Sequence, residues 1–293
     1  MVNLCNLCPR GCKVDRNTRF GFCNVPETPM IARAAPHFGE EPCITGTHGS
    51  GTVFFSGCNL RCVFCQNHAI SRGAEGKPVT VSRLRDIFKE LQDTGVHNIN
   101  LVTPTHYARA IADALEGADL RIPVAWNSSG YDSVETLRML EGKVQIYMPD
   151  FKYSDPLLAK TYSAAPDYPT VAAAALTEMY RQTGPYIMDE EGILQRGVLV
   201  RHLILPSKPT NTKGVLDTVS SLLPKGGYLF SLMSQYTPMP KLEAYPELQQ
   251  RVTPALGEFC YRYMIKCGIE EGYWQSPDSA TDEMIPDFDC TGV

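Results

Sequence analysis

Gly51-Thr52-Val53-Phe54-Phe55-Ser56-Gly57-Cys58-Asn59-Leu60-Arg61-Cys62-Val63-Phe64-Cys65 joins a short apolar run to three cysteines spaced C-x3-C-x2-C. Thr52–Ser56 reads as a buried strand, and the cysteines then fall in the loop that follows it. A cuboidal [4Fe–4S] cluster takes one cysteine thiolate per iron. Three thiolates on one loop would hold three irons and leave the fourth with an open position. Catalytic metal sites keep such a position for substrate, whereas structural sites are closed. The plain alternative is chance adjacency, which eleven cysteines in 293 residues make uncommon.

Working outward, apolar runs rich in β-formers alternate with amphipathic stretches. Strands are expected at Asn98–Thr103, Ile122–Asn127, Val144–Met148, Val198–Leu205 and Tyr228–Met233. Helices are expected at Val81–Thr94, Tyr107–Glu116, Ser133–Leu140, Thr170–Gln182, Val215–Leu223 and Pro254–Lys266. Buried strands separated by helices indicate a parallel sheet covered by helices. Six strands are too few for an eight-unit barrel, so the α/β fold expected is a partial (β/α)6 TIM-like barrel, with a doubly wound open sheet as the other choice. Residues 1–48 read as a cysteine-rich, loop-dominated metal-binding segment, 49–275 as the core barrel, and 276–293 as a loose C-terminal tail or lid. Met188–Ile193 reads as an exposed turn. Cys260 and Cys267 fall on one helical stretch and are expected to face the core.

Lys and Arg number 27 against 32 Asp and Glu, for a net charge of −5. That balance offers no basic surface for nucleic acid. No signal-peptide pattern opens the chain and no apolar run is long enough to span a bilayer, so a cytoplasmic protein without membrane association is expected. An odd number of cysteines in that setting points to metal rather than disulfides.

Polar residues punctuate the expected strand ends: Cys58, Thr103-Pro104-Thr105-His106, Asn127-Ser128-Ser129-Gly130, Asp150 with Lys152, and Ser234-Gln235-Tyr236, while Arg201 and His202 lie within strand five. Parallel barrels build their active sites at the carboxyl ends of strands. A second group, Cys5, Cys8, Cys12 and Cys23, is spaced C-x2-C-x3-C-x10-C, with Pro9 and Gly11 suited to a knuckle turn. Four thiolates suit a Zn or Fe site or an auxiliary Fe–S cluster, structural or electron-relaying, and spacing leaves the choice open. Cys43 is a possible replacement for one of the four.

Phe55–Asn67, with its three cysteines, resembles the signature of radical S-adenosylmethionine (SAM) enzymes. Cys5-Asn6-Leu7-Cys8-Pro9-Arg10, Asn98–His106, Asp150-Phe151-Lys152-Tyr153, Arg201-His202-Leu203 and Met233-Ser234-Gln235-Tyr236 resemble the subgroup similar to pyruvate formate-lyase activating enzyme. The resemblance implies that Cys58, Cys62 and Cys65 ligate a [4Fe–4S] cluster whose fourth iron chelates SAM. Reductive cleavage of SAM would then give a 5′-deoxyadenosyl radical that abstracts hydrogen from a substrate.

It further implies that Phe64 packs on the adenine. Thr103, Thr105 and His106 occupy the place of a Gly-Gly-Glu motif that binds the SAM amino end. Asn127, Ser128 and Asp150 match positions that hold a monovalent cation. Arg201 matches a carboxylate-binding arginine, and Lys152 is a substrate or SAM contact. A flavodoxin- or ferredoxin-type electron donor is implied, and a protein or peptide substrate is expected. A small molecule or a ribosomal peptide is the other substrate class, and a non-catalytic metal-binding or electron-carrier protein the rival of a different kind.

Overall fold

A computed structural model describes residues 4–73, 75–240, 242–275 and 286–293. The strands are β1 (Met30–His37), β2 (Ser50–Phe55), β3 (Lys77–Pro78), β4 (Ile99–Val102), β5 (Val124–Ser128), β6 (Ile146–Pro149), β7 (Ile187–Met188), β8 (Leu194–Leu203), β9 (Leu229–Met233) and β10 (Gly272–Gln275). The helices are α1 (Pro42–Thr45), α2 (His68–Ser71), α3 (Val81–Asp93), α4 (Ala108–Leu115), α5 (Val134–Met139), α6 (Pro156–Ser163), α7 (Tyr168–Thr183), α8 (Pro209–Leu222) and α9 (Pro254–Lys266).

The sheet runs β10-β9-β8-β6-β5-β4-β2-β1-β3, and every pairing from β10 to β2 is parallel. It is a partial barrel, as the alternation of strands and helices indicates. Each expected strand is present, and β10 adds a seventh parallel strand at the edge. β2 is buried at all six positions, because helices cover one side and the barrel interior the other. α3 shows why the helices lie where they do. Thr80 caps it by accepting the Arg83 N–H at 3.1 Å, and Leu84, Ile87, Phe88 and Leu91 form its buried stripe. Cys260 is fully buried, and Cys267 packs against the same core half-buried.

The segment 1–48 supplies two elements that its composition hides. β1 is alanine-rich and contains Pro36, yet it forms because it pairs antiparallel with β2. α1 then enters the barrel, and Cys43 and Ile44 pack against Ala125, Ile146, Met148, Leu199 and Leu229. Cys43 is therefore a barrel-core side chain and not a member of the N-terminal cysteine group. The Met188–Ile193 turn joins β7 to β8, closed by Asp189 N–H to the Ile193 carbonyl at 3.0 Å. Of the C-terminal stretch, 276–285 lies outside the described residues. The remainder follows β1, with Cys290 N–H on the Ala32 carbonyl (2.9 Å) and Ala34 N–H on the Thr291 carbonyl (2.8 Å). Among the described residues, no helix is long and apolar enough to cross a membrane.

Candidate functional site

The carboxyl ends of the parallel strands surround a cavity of about 260 Å³. A groove of about 500 Å³ lies at the opposite strand ends, lined by Val124, Gln145 and Gln195 among others. It carries none of the cysteines or strand-end residues singled out above.

Cys58, Cys62 and Cys65 all line the strand-end cavity. Two left-handed residues shape their loop, Gly57 at φ 81° and Arg61 at φ 53°. A side chain at position 57 would meet the Cys23 carbonyl at 2.7 Å, so the close approach itself demands glycine. Cys58 Sγ accepts the N–H groups of Leu60 (3.3 Å) and Arg61 (3.4 Å), and Cys62 Sγ accepts the Ser163 hydroxyl at 3.1 Å. Such donors favour thiolate sulfur. Burial pushes the Cys58 thiol up, with Cys62 adding to it, and pushes Cys65 up to about 12. Protonated thiols at neutral pH become thiolates only when a metal takes them. Among the described residues no three His, Cys, Asp or Glu are placed to hold one metal ion. A cubane bonds each thiolate to a different iron, so its ligands need not converge on a point.

Arg201 organises the opposite wall from β8. Its Nε donates to Asp150 Oδ1 at 3.0 Å, Nη1 to Glu40 Oε2 at 3.0 Å, and Nη2 to Asn127 Oδ1. Lys152 Nζ donates to the other Asp150 oxygen. Burial alone would raise the Asp150 carboxyl, but Lys152 and Arg201 outweigh it and hold it below the usual carboxylate range. Burial opposes the Lys152 charge in turn, and Asp150 beside it keeps the ammonium protonated. Glu40 closes the network by accepting Asn100 Nδ2 (3.0 Å) and Asn127 Nδ2 (3.1 Å).

The side chains expected to bind a monovalent cation do not share an open point. Asp150 is taken by Lys152 and Arg201, Asn127 by Arg201 and Glu40, and the Ser128 hydroxyl by Asp132. The Lys152 ammonium is the cation on Asp150. Thr105 and His106 also depart from expectation. Thr105 donates to Asp132 at 2.7 Å, and His106 Nε2 meets the Ser56 carbonyl at 2.8 Å, so both side chains are engaged away from the cavity. Burial, with Arg16 adding to it, pushes His106 down to about 3 and keeps it neutral. Thr103 does line the cavity, at a left-handed φ of 58° that a β-branched residue seldom adopts. Phe64 is buried edge-on to Tyr153, Tyr162 and Tyr236 on the cavity wall.

Sequence reasoning missed Glu40, Glu41 and Gln275 as site residues; with Ser129 and Gln235, marked from sequence only as strand-end residues, they lie on the cavity wall. Ser129 Oγ, Gln235 Oε1 and Gln275 Oε1 are buried without a partner among the described residues, and Glu41 Oε2, buried without a hydrogen bond, faces Arg201 Nη1 at 4.0 Å. The signal for the two glutamates was Glu40-Glu41-Pro42, an acidic pair ahead of a helix-starting proline. His202 is a satisfied core residue, bonded to the Phe151 carbonyl at 2.6 Å and to Thr212 at 3.0 Å. Cys5, Cys8, Cys12 and Cys23 meet around a separate small gap beside the cysteine loop.

The radical SAM superfamily profile matches residues 52–175. An uncharacterised protein of Methanocaldococcus jannaschii is 32% identical over 259 residues, covering 85% of this chain and 70% of that protein. Among solved structures, Streptococcus suis SuiB bound to the precursor peptide SuiA is similar, with a TM-score of 0.52 and 12% identity over 75% of this chain. This chain spans 46% of the SuiB chain, and the likeness is one of fold. A domain of pyruvate-formate lyase-activating enzyme from Bacteroides vulgatus gives a TM-score of 0.38 at 13% identity, covering 67% of this chain and 91% of that one.

Proposed function

Because this chain belongs to the radical SAM superfamily, we propose that it cleaves SAM at a [4Fe–4S] cluster held by Cys58, Cys62 and Cys65 and abstracts hydrogen from a protein or peptide substrate. The observation that carries this reading is that three thiols on one loop face the Lys152–Asp150–Arg201 network across one cavity. The donor set fits the group, since N–H and O–H bonds already point at Cys58 and Cys62 sulfur. The oxygens of Gln235 and Gln275, without a partner among the described residues, suit a ligand rich in ammonium and hydroxyl donors, as SAM is.

When bound, cluster and SAM supply one-electron cleavage of the sulfonium and a carbon radical. The protein residues bind, orient and shield. Phe64 offers an apolar wall for the adenine, and Thr103 a backbone contact for the SAM amino end. Lys152 and Arg201, fixed by Asp150, Glu40 and Asn127, offer cationic donors for a carboxylate. Cys43 and Ile44 of α1 fill the barrel from below and keep water from that end. Thr105 and His106 act one layer further out, through Asp132 and the Ser56 carbonyl, while Ser128 lines the cavity with its hydroxyl turned to Asp132.

A peptide substrate is favoured because, among the described residues, the sheet leaves the barrel open at β10, and SuiB, which shares this fold over 46% of its chain, is bound to a precursor peptide. Activation of a glycyl-radical enzyme and modification of a ribosomal peptide both fall within that class. A flavodoxin- or ferredoxin-type protein is the electron donor in this reading, and neither nucleic acid nor membrane is a partner. Eleven unpaired cysteines support a reducing, cytoplasmic setting. The division into 1–48, 49–275 and 276–293 is proposed from the sequence pattern, with β1 and α1 of the first segment completing the barrel.

Anaerobic reconstitution with iron and sulfide, followed by reduction in the presence of SAM, tests the activity. Release of 5′-deoxyadenosine is expected, and its loss in Cys62→Ala. No cleavage by a fully loaded protein would end the proposal.

A further inference from the structure

Outside the barrel cavity, Cys5, Cys8, Cys12 and Cys23 line one gap of about 10 Å³ together with Arg16 and Phe22. The chain reaches this arrangement through a tight knuckle. Gly11 N–H donates to the Cys8 carbonyl at 3.0 Å, and Lys13 N–H returns to the Cys5 carbonyl at 3.0 Å. Gly11 and Lys13 hold left-handed φ angles of 49° and 50°. Phe22 N–H points at Cys12 Sγ at 3.4 Å. Such a gap is about the space of one water, and four thiols around it suit a single tetrahedral ion. Among the described residues no three of these thiols are placed to hold one ion, so binding requires Cys23 and the knuckle thiols to move together.

A second observation points to the charge of what binds. Arg16 is 2% exposed; its guanidinium donates to the carbonyls of Val25, Pro26 and His106 and lies 5.0 Å from the centre of the Tyr107 ring. Among the described residues no carboxylate pairs with it. A buried cation without a counter-charge is costly. Four thiolates on a divalent ion carry a net negative charge and would supply the missing partner.

The knuckle is also wired to the cluster loop. Arg10 follows Cys8 by two residues and stacks on Phe22 at 3.7 Å. Its Nε donates to the Asn59 carbonyl at 2.7 Å and Nη2 to the Ser163 carbonyl at 2.8 Å, while Nη1 reaches Ala164. In a trans peptide the carbonyl and the following N–H point in opposite directions. Holding the Asn59 carbonyl therefore aims the Leu60 N–H the other way, onto Cys58 Sγ. Ser163 donates its hydroxyl to Cys62 Sγ. From the loop side, Arg61 Nη1 reaches back to the Phe22 carbonyl at 3.1 Å.

We infer that Cys5, Cys8, Cys12 and Cys23 bind a single metal ion, zinc or iron, as a tetrathiolate balanced by Arg16, and that this centre sets Arg10 as the positioning residue for the Cys58 loop. The first half stands on the N-terminal geometry alone. The second rests on the proposal that Cys58 ligates the radical SAM cluster.

Two measurements separate the halves. In C58A/C62A/C65A, purified anaerobically, any tightly held metal belongs to the N-terminal group. About one equivalent without sulfide is expected. No retained metal, or a sulfide-bearing cluster, would overturn the single-ion assignment. In the reconstituted protein, Arg10→Ala leaves every cysteine in place. Weakened N–H bonding to sulfur destabilises the reduced cluster, so iron content is expected to hold while the reduction midpoint falls. Arg10→Lys is expected to restore little, because an ammonium cannot span three carbonyls. An Arg10→Ala cluster with an unchanged midpoint would overturn the positioning role.

Discussion

Arg201 ties together more of the site than any other side chain, with Asp150, Glu40 and Asn127 all on one guanidinium. Its removal leaves buried carboxylates without their cation, so Arg201→Ala is expected to cost about 3–5 kcal/mol. Chemical denaturation of the variant checks this, and an unchanged midpoint would show that water replaces the contacts. Its neighbour His202 gives a pH signature. Burial, with Lys152 adding to it and the Phe151 carbonyl and Asp150 opposing, pushes its imidazole from 6.5 down to about 4. The unfolded chain therefore takes up a proton first as pH falls. The stability it contributes is complete above about pH 6.5 and is lost toward pH 4. Between pH 7 and 5 the loss is about 2 kcal/mol. His202→Gln should flatten that part of the stability–pH curve, and an unaltered slope would assign the titration elsewhere.

At the scale of elements, β10 depends on one position. Gly272 adopts φ 138°, and a side chain there would meet the Phe230 carbonyl at 2.0 Å. Gly272→Ala is expected to detach the strand, seen as fast amide exchange at Tyr273–Gln275 while β2 to β6 stay protected. Equal protection in the variant would mean that β9 can shift to admit the methyl. The same strand shows what a sequence conceals. Four residues starting at a glycine carry too little pattern to count, whereas β2, β4 and β8 announce themselves as runs dominated by apolar residues. β1 was hidden by alanines and Pro36, which form a strand only because β2 offers an edge. The cysteine loop was legible because its chemistry lies in residue type and spacing. Glu40 and Glu41 were not, since adjacent acids read as a solvated loop until α1 carries them inside the barrel. Thr105 and His106 follow β4 but turn their side chains to Asp132 and the Ser56 carbonyl, an orientation that residue type alone does not specify.

For the molecule as a whole, the parallel sheet brings the cysteine loop, the ion network and the N-terminal knuckle to one end. The loop is gripped from two sides, by the barrel through Ser163 and by the knuckle through Arg10. Loss of the loop metal should therefore loosen this end alone. Chelation is expected to speed proteolysis between residues 57 and 67 and to leave the far strand ends intact, and a uniform increase would contradict the two-sided grip. The most direct measurement is electron paramagnetic resonance of the reconstituted, reduced protein with and without SAM. A four-iron signal whose g-values move on adding SAM, and which vanishes in Cys58→Ala, Cys62→Ala and Cys65→Ala, is expected of three thiolates and one open iron. A four-iron signal indifferent to SAM would mean that a protein ligand fills the fourth position.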